Sequence, residues 1–129
     1  MTICWRQEKG SAMVEFALVI TLFLMLFMGL VEFGRIFHAQ LTLDNAARQG
    51  ARVAAVGYSD AQVRAAVKSV ATQLNLEDSD ITITPSTRQK FDPVTVKVQT
   101  ELPLIVPIIS GLLQNPFPVS GQATMMMEK

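Results

Sequence analysis

A chain of 129 residues holds at most one modest domain and an appendage. Its eleven basic and eleven acidic residues cancel, so no large net field draws it to nucleic acid or anionic lipid. Its one cysteine, Cys4, forms no internal disulfide framework. Half of the residues are apolar, and they are spread unevenly along the chain.

From Ala12 to Val31 only Glu15, Thr21 and Gly29 interrupt a run of aliphatic, aromatic and methionine side chains. Ser11 to Val31 is 21 residues, about 31 Å of helix at the standard rise. That length matches a hydrocarbon core of about 30 Å and predicts one spanning helix. Arg6 and Lys9, offset by Glu8, lie before the span, whereas Glu32, Arg35, His38 and Asp44 follow it. The positive flank at the start places the N-terminus in the cytoplasm and the remainder outside. A cleaved secretory signal fits poorly: the apolar core is too long, and "VEFGRIFHAQ" holds large groups where a cleavage site needs small ones.

Beyond Val31 the helical pattern continues without proline. Phe33, Ile36, Phe37, Gln40 and Leu41 keep helical spacing, and Ala46, Ala47, Gly50, Ala51, Ala54 and Ala55 form a ribbon of small residues three and four apart. Gly57 is the expected C′ residue. Such a ribbon either packs on the chain's own second helix or lets copies of the chain approach closely. Both readings stand at this point. The second helix starts at the N-cap Ser59, with Gln62 completing a capping box. It is expected to run to about residue 75, with Val63, Val67, Val70 and Leu74 on the apolar stripe and Arg64, Lys68 and Gln73 toward water. "EDSD" then breaks the pattern as an acidic loop.

From there the period changes to two. "ITITP" and "PVTVKVQTEL" alternate, the latter with Val94, Val96, Val98, Thr100 and Leu102 on one face. That face is expected beneath the 60–75 helix. "PVSGQATMMME" supplies a third strand, with Val119, Ala123, Met125 and Met127 aligned. Between them "LPLIVPIISGLLQNPFP" is apolar but broken by prolines, too short for a second span. It reads as a short buried helix, a hydrophobic loop, or a patch resting on another subunit or on lipid headgroups. The fold class that results is α+β: a long N-terminal helix, then a second helix and a small antiparallel sheet.

No convergent set of acids, bases or metal ligands is visible, so an enzyme, a metal site and a cofactor are all unexpected. His38 and Cys4 lie on opposite sides of the span, and Glu77, Asp78 and Asp80 lack the glycine and terminal glutamate of an EF-hand. Glu15 is the unusual residue. A carboxylate in hydrocarbon costs roughly 2.5–3.5 kcal/mol at the centre of a span. It either reaches back to water near the interface, or it meets a cation. A cut between Gly10 and Ser11 would create that cation, the new α-ammonium of Ser11, one helical turn from Glu15 or beside the Glu15 of a neighbouring chain. Pairing would offset two charges in a low-dielectric bundle and fix the axial register between chains.

A short basic arm ending in glycine, a glutamate fifth after the cut and a continuous apolar helix resemble a type IV prepilin. In detail "VEFALV", "EFGR" and "AARQGARVAA" resemble the TadE-like pseudopilins of the tight-adherence (Flp) pilus machinery, closely over residues 6–56 and more loosely beyond. The resemblance implies processing by a prepilin peptidase between Gly10 and Ser11. It also implies a minor or initiating role in pilus biogenesis for adherence and biofilm formation. Partners would be other pilins, pilus assembly proteins and membrane lipid. Major Flp pilins are much shorter and usually have tyrosine where Phe16 stands. TadG-type relatives carry a further domain, and type II secretion pseudopilins usually start with an aromatic residue where Ser11 stands. The expected organisation is a cytoplasmic leader over 1–10, a transmembrane helix over 11–31, its protruding continuation over 32–57 and a small extracytoplasmic domain over 58–129. Phe16, Gly29 and Gly34 are the expected helix-packing positions. The localisation implied is the bacterial inner membrane, single-pass, with possible entry into the pilus. The rival reading is an uncleaved bitopic membrane protein whose outer domain scaffolds an envelope complex.

Overall fold

The computed structural model describes residues 5–128, with side chains from Gly10 onward. Cys4 and the charged side chains Arg6, Glu8 and Lys9 used to orient the span lie outside what is described. Helix α1 runs from Trp5 to Ala55, roughly 75 Å at the standard rise. It starts earlier than Ser11 and passes without interruption through Gly10, Gly29, Gly34 and Gly50. Its end is capped twice. Gly57 takes φ 94° and its N–H reaches the Ala54 carbonyl at 3.0 Å, the left-handed turn expected of a C′ glycine. The Glu128 N–H, from the far end of the chain, donates to the Ala55 carbonyl at 2.9 Å.

Helix α2 (Asp60–Val70) follows. The Gln62 side-chain oxygen accepts from the Ser59 N–H at 3.1 Å and from its hydroxyl at 3.0 Å, so the start is as expected. The end is not. The α-helix stops at Val70, which is 40% exposed, and the buried place beyond Val67 goes to Ala71. A single 3-10 turn over Thr72–Leu74 and a left-handed Asn75 then redirect the chain. Of the stripe of Val63, Val67, Val70 and Leu74, the first two are buried, Leu74 is half-buried against the core from the 3-10 turn, and Val70 alone faces out. The acidic stretch is itself a 3-10 turn, Asp78–Asp80, held by basic residues expected to face water. Arg64 donates to the carbonyls of Asp78 and of Ile81, the latter at 2.7 Å, and Lys68 pairs with the Asp78 carboxylate at 2.7 Å.

Strands β1 (Ile81–Thr84), β2 (Pro93–Leu102) and β3 (Phe117–Met126) form an antiparallel meander with β2 in the centre. Ile81 opposes Val98, and β2 pairs with β3 along its whole length, from Pro93–Met126 to Leu102–Phe117. Alternation sorts the faces as expected: Val94, Val96, Val98, Val119 and Met127 are buried, whereas Lys97, Gln99 and Gln122 are exposed. The partner of the buried face differs from the expectation. The sheet packs chiefly on the second half of α1, and α2 lies along that same half rather than over the valines. The reason is the small-residue ribbon. Ala46, Ala47, Gly50, Ala51, Ala54 and Ala55 are all buried within the chain, and a Cβ at Gly50 would sit 2.5 Å from Val67 and 3.1 Å from Val96. Of the two readings of the ribbon, this is the intramolecular one.

Gly121 is the matching contact on the sheet. A Cβ there would lie 2.5 Å from the Leu43 carbonyl oxygen and 2.6 Å from the Asp44 nitrogen, so β3 crosses α1 backbone to backbone. Gln40 ties the same crossing, donating to the Ser120 carbonyl at 2.6 Å.

Candidate functional site

Gly34 lies just past the midpoint of α1, and Gly10, Ser11, Glu15, Phe16 and Gly29 lie on its N-terminal half. That half is long and apolar enough to cross a membrane. Phe16, Leu18, Leu22, Leu26 and Leu30 are each 67–70% exposed, an outward display that no aqueous surface tolerates at this size. Thr21, the neutral polar residue of the run, returns its hydroxyl to the Ala17 carbonyl at 2.7 Å, which leaves no unsatisfied donor in hydrocarbon. Among the described residues α1 is the one helix long and apolar enough to anchor the chain in a membrane.

Gly10, Ser11 and Glu15 are all helical and exposed. Four residues apart, Ser11 and Glu15 share one face of α1, with neighbouring Cβ atoms about 5–6 Å apart. Phe16 projects from the next position, 67% exposed. The two glycines part company. Nothing approaches Gly34 within 4 Å of where a Cβ would stand, so it is open to another helix. At Gly29 the corresponding point is 3.7 Å from the Ile109 Cδ1 of the same chain. Gly29 is already in contact with the segment between β2 and β3.

One residue that the sequence reading treated as a flanking charge proves structural. Glu32 is 3% exposed, and its Oε1 accepts from Arg35 at 2.8 Å and from the Ile105 N–H at 3.4 Å. It clasps the apolar connection to the helix just past the span. The i,i+3 spacing to Arg35 is the signal available in the sequence; the second partner, Ile105, is 73 residues away and leaves none.

Among the described residues no group of three or more His, Cys, Asp and Glu converges to hold a metal. The acids of the 77–80 turn serve the fold: Asp80 accepts from the Glu77 N–H at 2.9 Å, and Asp78 receives Lys68. The hydrogen bond and charge of Lys68, helped by Arg64, hold the Asp78 carboxyl below its ordinary value. His38 is exposed on α1. An open groove beside β2 and β3 is lined by Asp80, Gln99, Glu101 and Ser120.

Comparison with known families gives one finding. The model of the TadE-like protein family matches residues 10–52, from the glycine of the expected cut to the last turn of α1. That family comprises structural components of the tight-adherence (Flp) pilus system. No match was found among curated proteins or solved structures. Over residues 10–52, and so through much of its long helix, the chain is similar to the TadE-like proteins.

Proposed function

We propose that the chain is a processed minor pilin, a pseudopilin that supports assembly of an adhesive Flp-type pilus from the bacterial inner membrane. In this reading a prepilin peptidase removes residues 1–10, the N-terminus is cytoplasmic and the sheet domain is extracytoplasmic. The new Ser11 ammonium pairs with Glu15 of its own or a neighbouring helix, and the exposed half of α1, with Phe16 and Gly34, packs against other pilins. The observation that carries it is the family match beginning at Gly10 on a helix that is exposed from Gly10 to Val31 except at the half-buried Ile20 and Gly29. The burial of the alanine ribbon inside the chain leaves that first half as the surface for assembly.

Intact mass of the protein from membranes tests the processing step. The mature chain should start at Ser11, and Gly10→Leu should leave the full-length chain inserted. A wild-type chain that keeps residues 1–10 would overturn the reading. Glu15→Leu tests the assembly step. It should insert better, by up to roughly 3 kcal/mol on insertion scales, remain cleaved, and yet fail to support piliation. Normal pilus yield would assign Glu15 to the interface alone. One observation favours the uncleaved bitopic reading: α1 is helical straight through Gly10, so a protease must first unwind about a turn there.

A further inference from the structure

We propose that the connection between β2 and β3, residues 103–116, is a membrane foot. It would lie in the leaflet on the side of the sheet domain and seat that domain against the lipid at a fixed height. The inference rests on α1 spanning the bilayer and adds a second contact with it.

Three observations converge on this segment. The first is its height. Ile109 meets α1 at Gly29 and Ile105 is held by Glu32. Gly29 is two residues inside the end of the apolar span at Val31, about 3 Å along the axis. The short helix α3 (Pro107–Ser110) therefore stands at the depth where acyl chains give way to headgroups.

The second is composition and exposure. Residues 103–116 hold no charged side chain, and Ile105, Ile108, Leu112 and Leu113 are 68, 51, 81 and 40% exposed. Leu30 and Val31, which lie on α1 between the Gly29 and Glu32 contacts, are exposed as well, so the patch adjoins the lipid-facing surface of the helix. That continuity names the occupant: lipid, where α1 itself meets it.

The third is the backbone. Irregular chain at membrane depth requires its amides to be satisfied internally. Here Ile109, Ser110, Leu112 and Leu113 donate to the carbonyls of Val106 or Ile109 at 2.9–3.1 Å. Leu104 donates to the Asn115 side chain at 3.1 Å and Ile105 to Glu32. Pro103, Pro107 and Pro116 have no N–H to satisfy. The Ser110 hydroxyl too turns inward, to the Pro107 carbonyl at 2.7 Å, while the amides of Val106, Ile108, Gln114 and Asn115, which make no such bond, are left to the water of the headgroup layer.

The test places single tryptophans in the full chain carrying Trp5→Phe, reconstituted in phosphatidylcholine vesicles with brominated acyl chains. Leu112→Trp probes the foot, Leu22→Trp the middle of the span and Tyr58→Trp the far end of α1. Leu112 is so exposed that its replacement leaves the packing of the fold untouched. The expected result is a blue-shifted emission from position 112. Bromines near the carbonyl end of the chains should quench it more than those near the methyl end. Position 22 should show the reverse order, and position 58 no quenching. Quenching at 22 without quenching at 112 would overturn the foot and leave the span intact. Absence of quenching at 22 would overturn the spanning reading and the foot with it. A blue shift at 112 that disappears as the protein is diluted in lipid would assign the patch to a second copy and likewise overturn the proposal.

Discussion

The two halves of α1 share one helix and have opposite surroundings. Over 11–31 large side chains stand outward and little of the chain packs on them; over 39–55 the inward positions are alanine or glycine, with Leu43 the largest, and all are covered by the same chain. Helix propensity does not distinguish the halves, since leucine and alanine are both good formers. Side-chain size does. Alanines let α2 and the sheet approach close to the helix backbone, and there the domain finds its core. Leucines and phenylalanines hold neighbours at a distance and present area suited to lipid or to another apolar helix. Glu32 and the 103–116 connection mark the boundary between the two regimes.

The sharpest way to break the buried half is to charge it. Val96→Asp places a carboxylate at a fully buried position opposite Gly50, at a cost of several kcal/mol. The full chain in detergent micelles should lose its cooperative melt, whereas Lys97→Asp, one residue on and exposed, should leave the midpoint nearly unchanged. Equal tolerance of both would refute the register. A smaller insult is Gly121→Ala. The added methyl meets the α1 backbone at Leu43 and Asp44, which cannot rotate away, and overpacking of this kind costs about 1–3 kcal/mol. The contrasting change in the exposed half, Gly34→Ala, meets nothing, and melting of the domain should not register it.

What could be read from the sequence follows from what periodicity encodes. It separates faces, so the span, the start of α2 at Ser59 and the buried valines of β2 were all legible. It does not say which element covers a face. The valines were assigned to α2, but the alanine ribbon makes α1 the closer neighbour, and a ribbon of alanines reads the same whether it meets its own chain or a copy. Val70 continued the apolar spacing, yet the helix ends there because Ala71 turns in instead. Gly121 carried a signal that went unused, a glycine inside a strand pattern. The place of the 103–116 connection beside Gly29 depends on how far β2 and β3 run down α1, which no local pattern records. For the candidate site, Gly10, Ser11 and Glu15 were legible as a motif, whereas Glu32 was hidden because its role needs a partner from the distant loop.

The clasp at the boundary gives a more local prediction. Glu32→Leu leaves the Ile105 N–H without its acceptor and Arg35 without its carboxylate, a loss of about 1 kcal/mol. Hydrogen exchange should quicken at Ile105 and its neighbours and stay slow at Ile81 and Val96 in the core. Glu32→Gln keeps an acceptor and should exchange nearly as the parent does. Uniform acceleration across the sheet would show that Glu32 supports the whole domain rather than the height of one segment.

The smallest effect belongs to the outer surface of the domain, where Lys68 and Asp78 meet in open solvent. Exposed pairs are screened by water and salt and contribute little, so Asp78→Asn should lower the melting midpoint only slightly at pH 7. Its pH dependence is the informative part. The Asp78 carboxyl lies below its ordinary value in the folded chain because Lys68 donates to it and attracts it, whereas the unfolded carboxyl titrates near about 3.9. The unfolded chain therefore binds the proton first as pH falls, and the contribution present above about pH 4 is lost as pH drops through the lower native value. The midpoints of parent and Asp78→Asn should converge as pH falls below the unfolded value and through the lower native one. A difference that persists unchanged in acid would show that the substitution acts through something other than the ionised pair, since both proteins keep the Arg64 bonds to the Asp78 and Ile81 main-chain carbonyls.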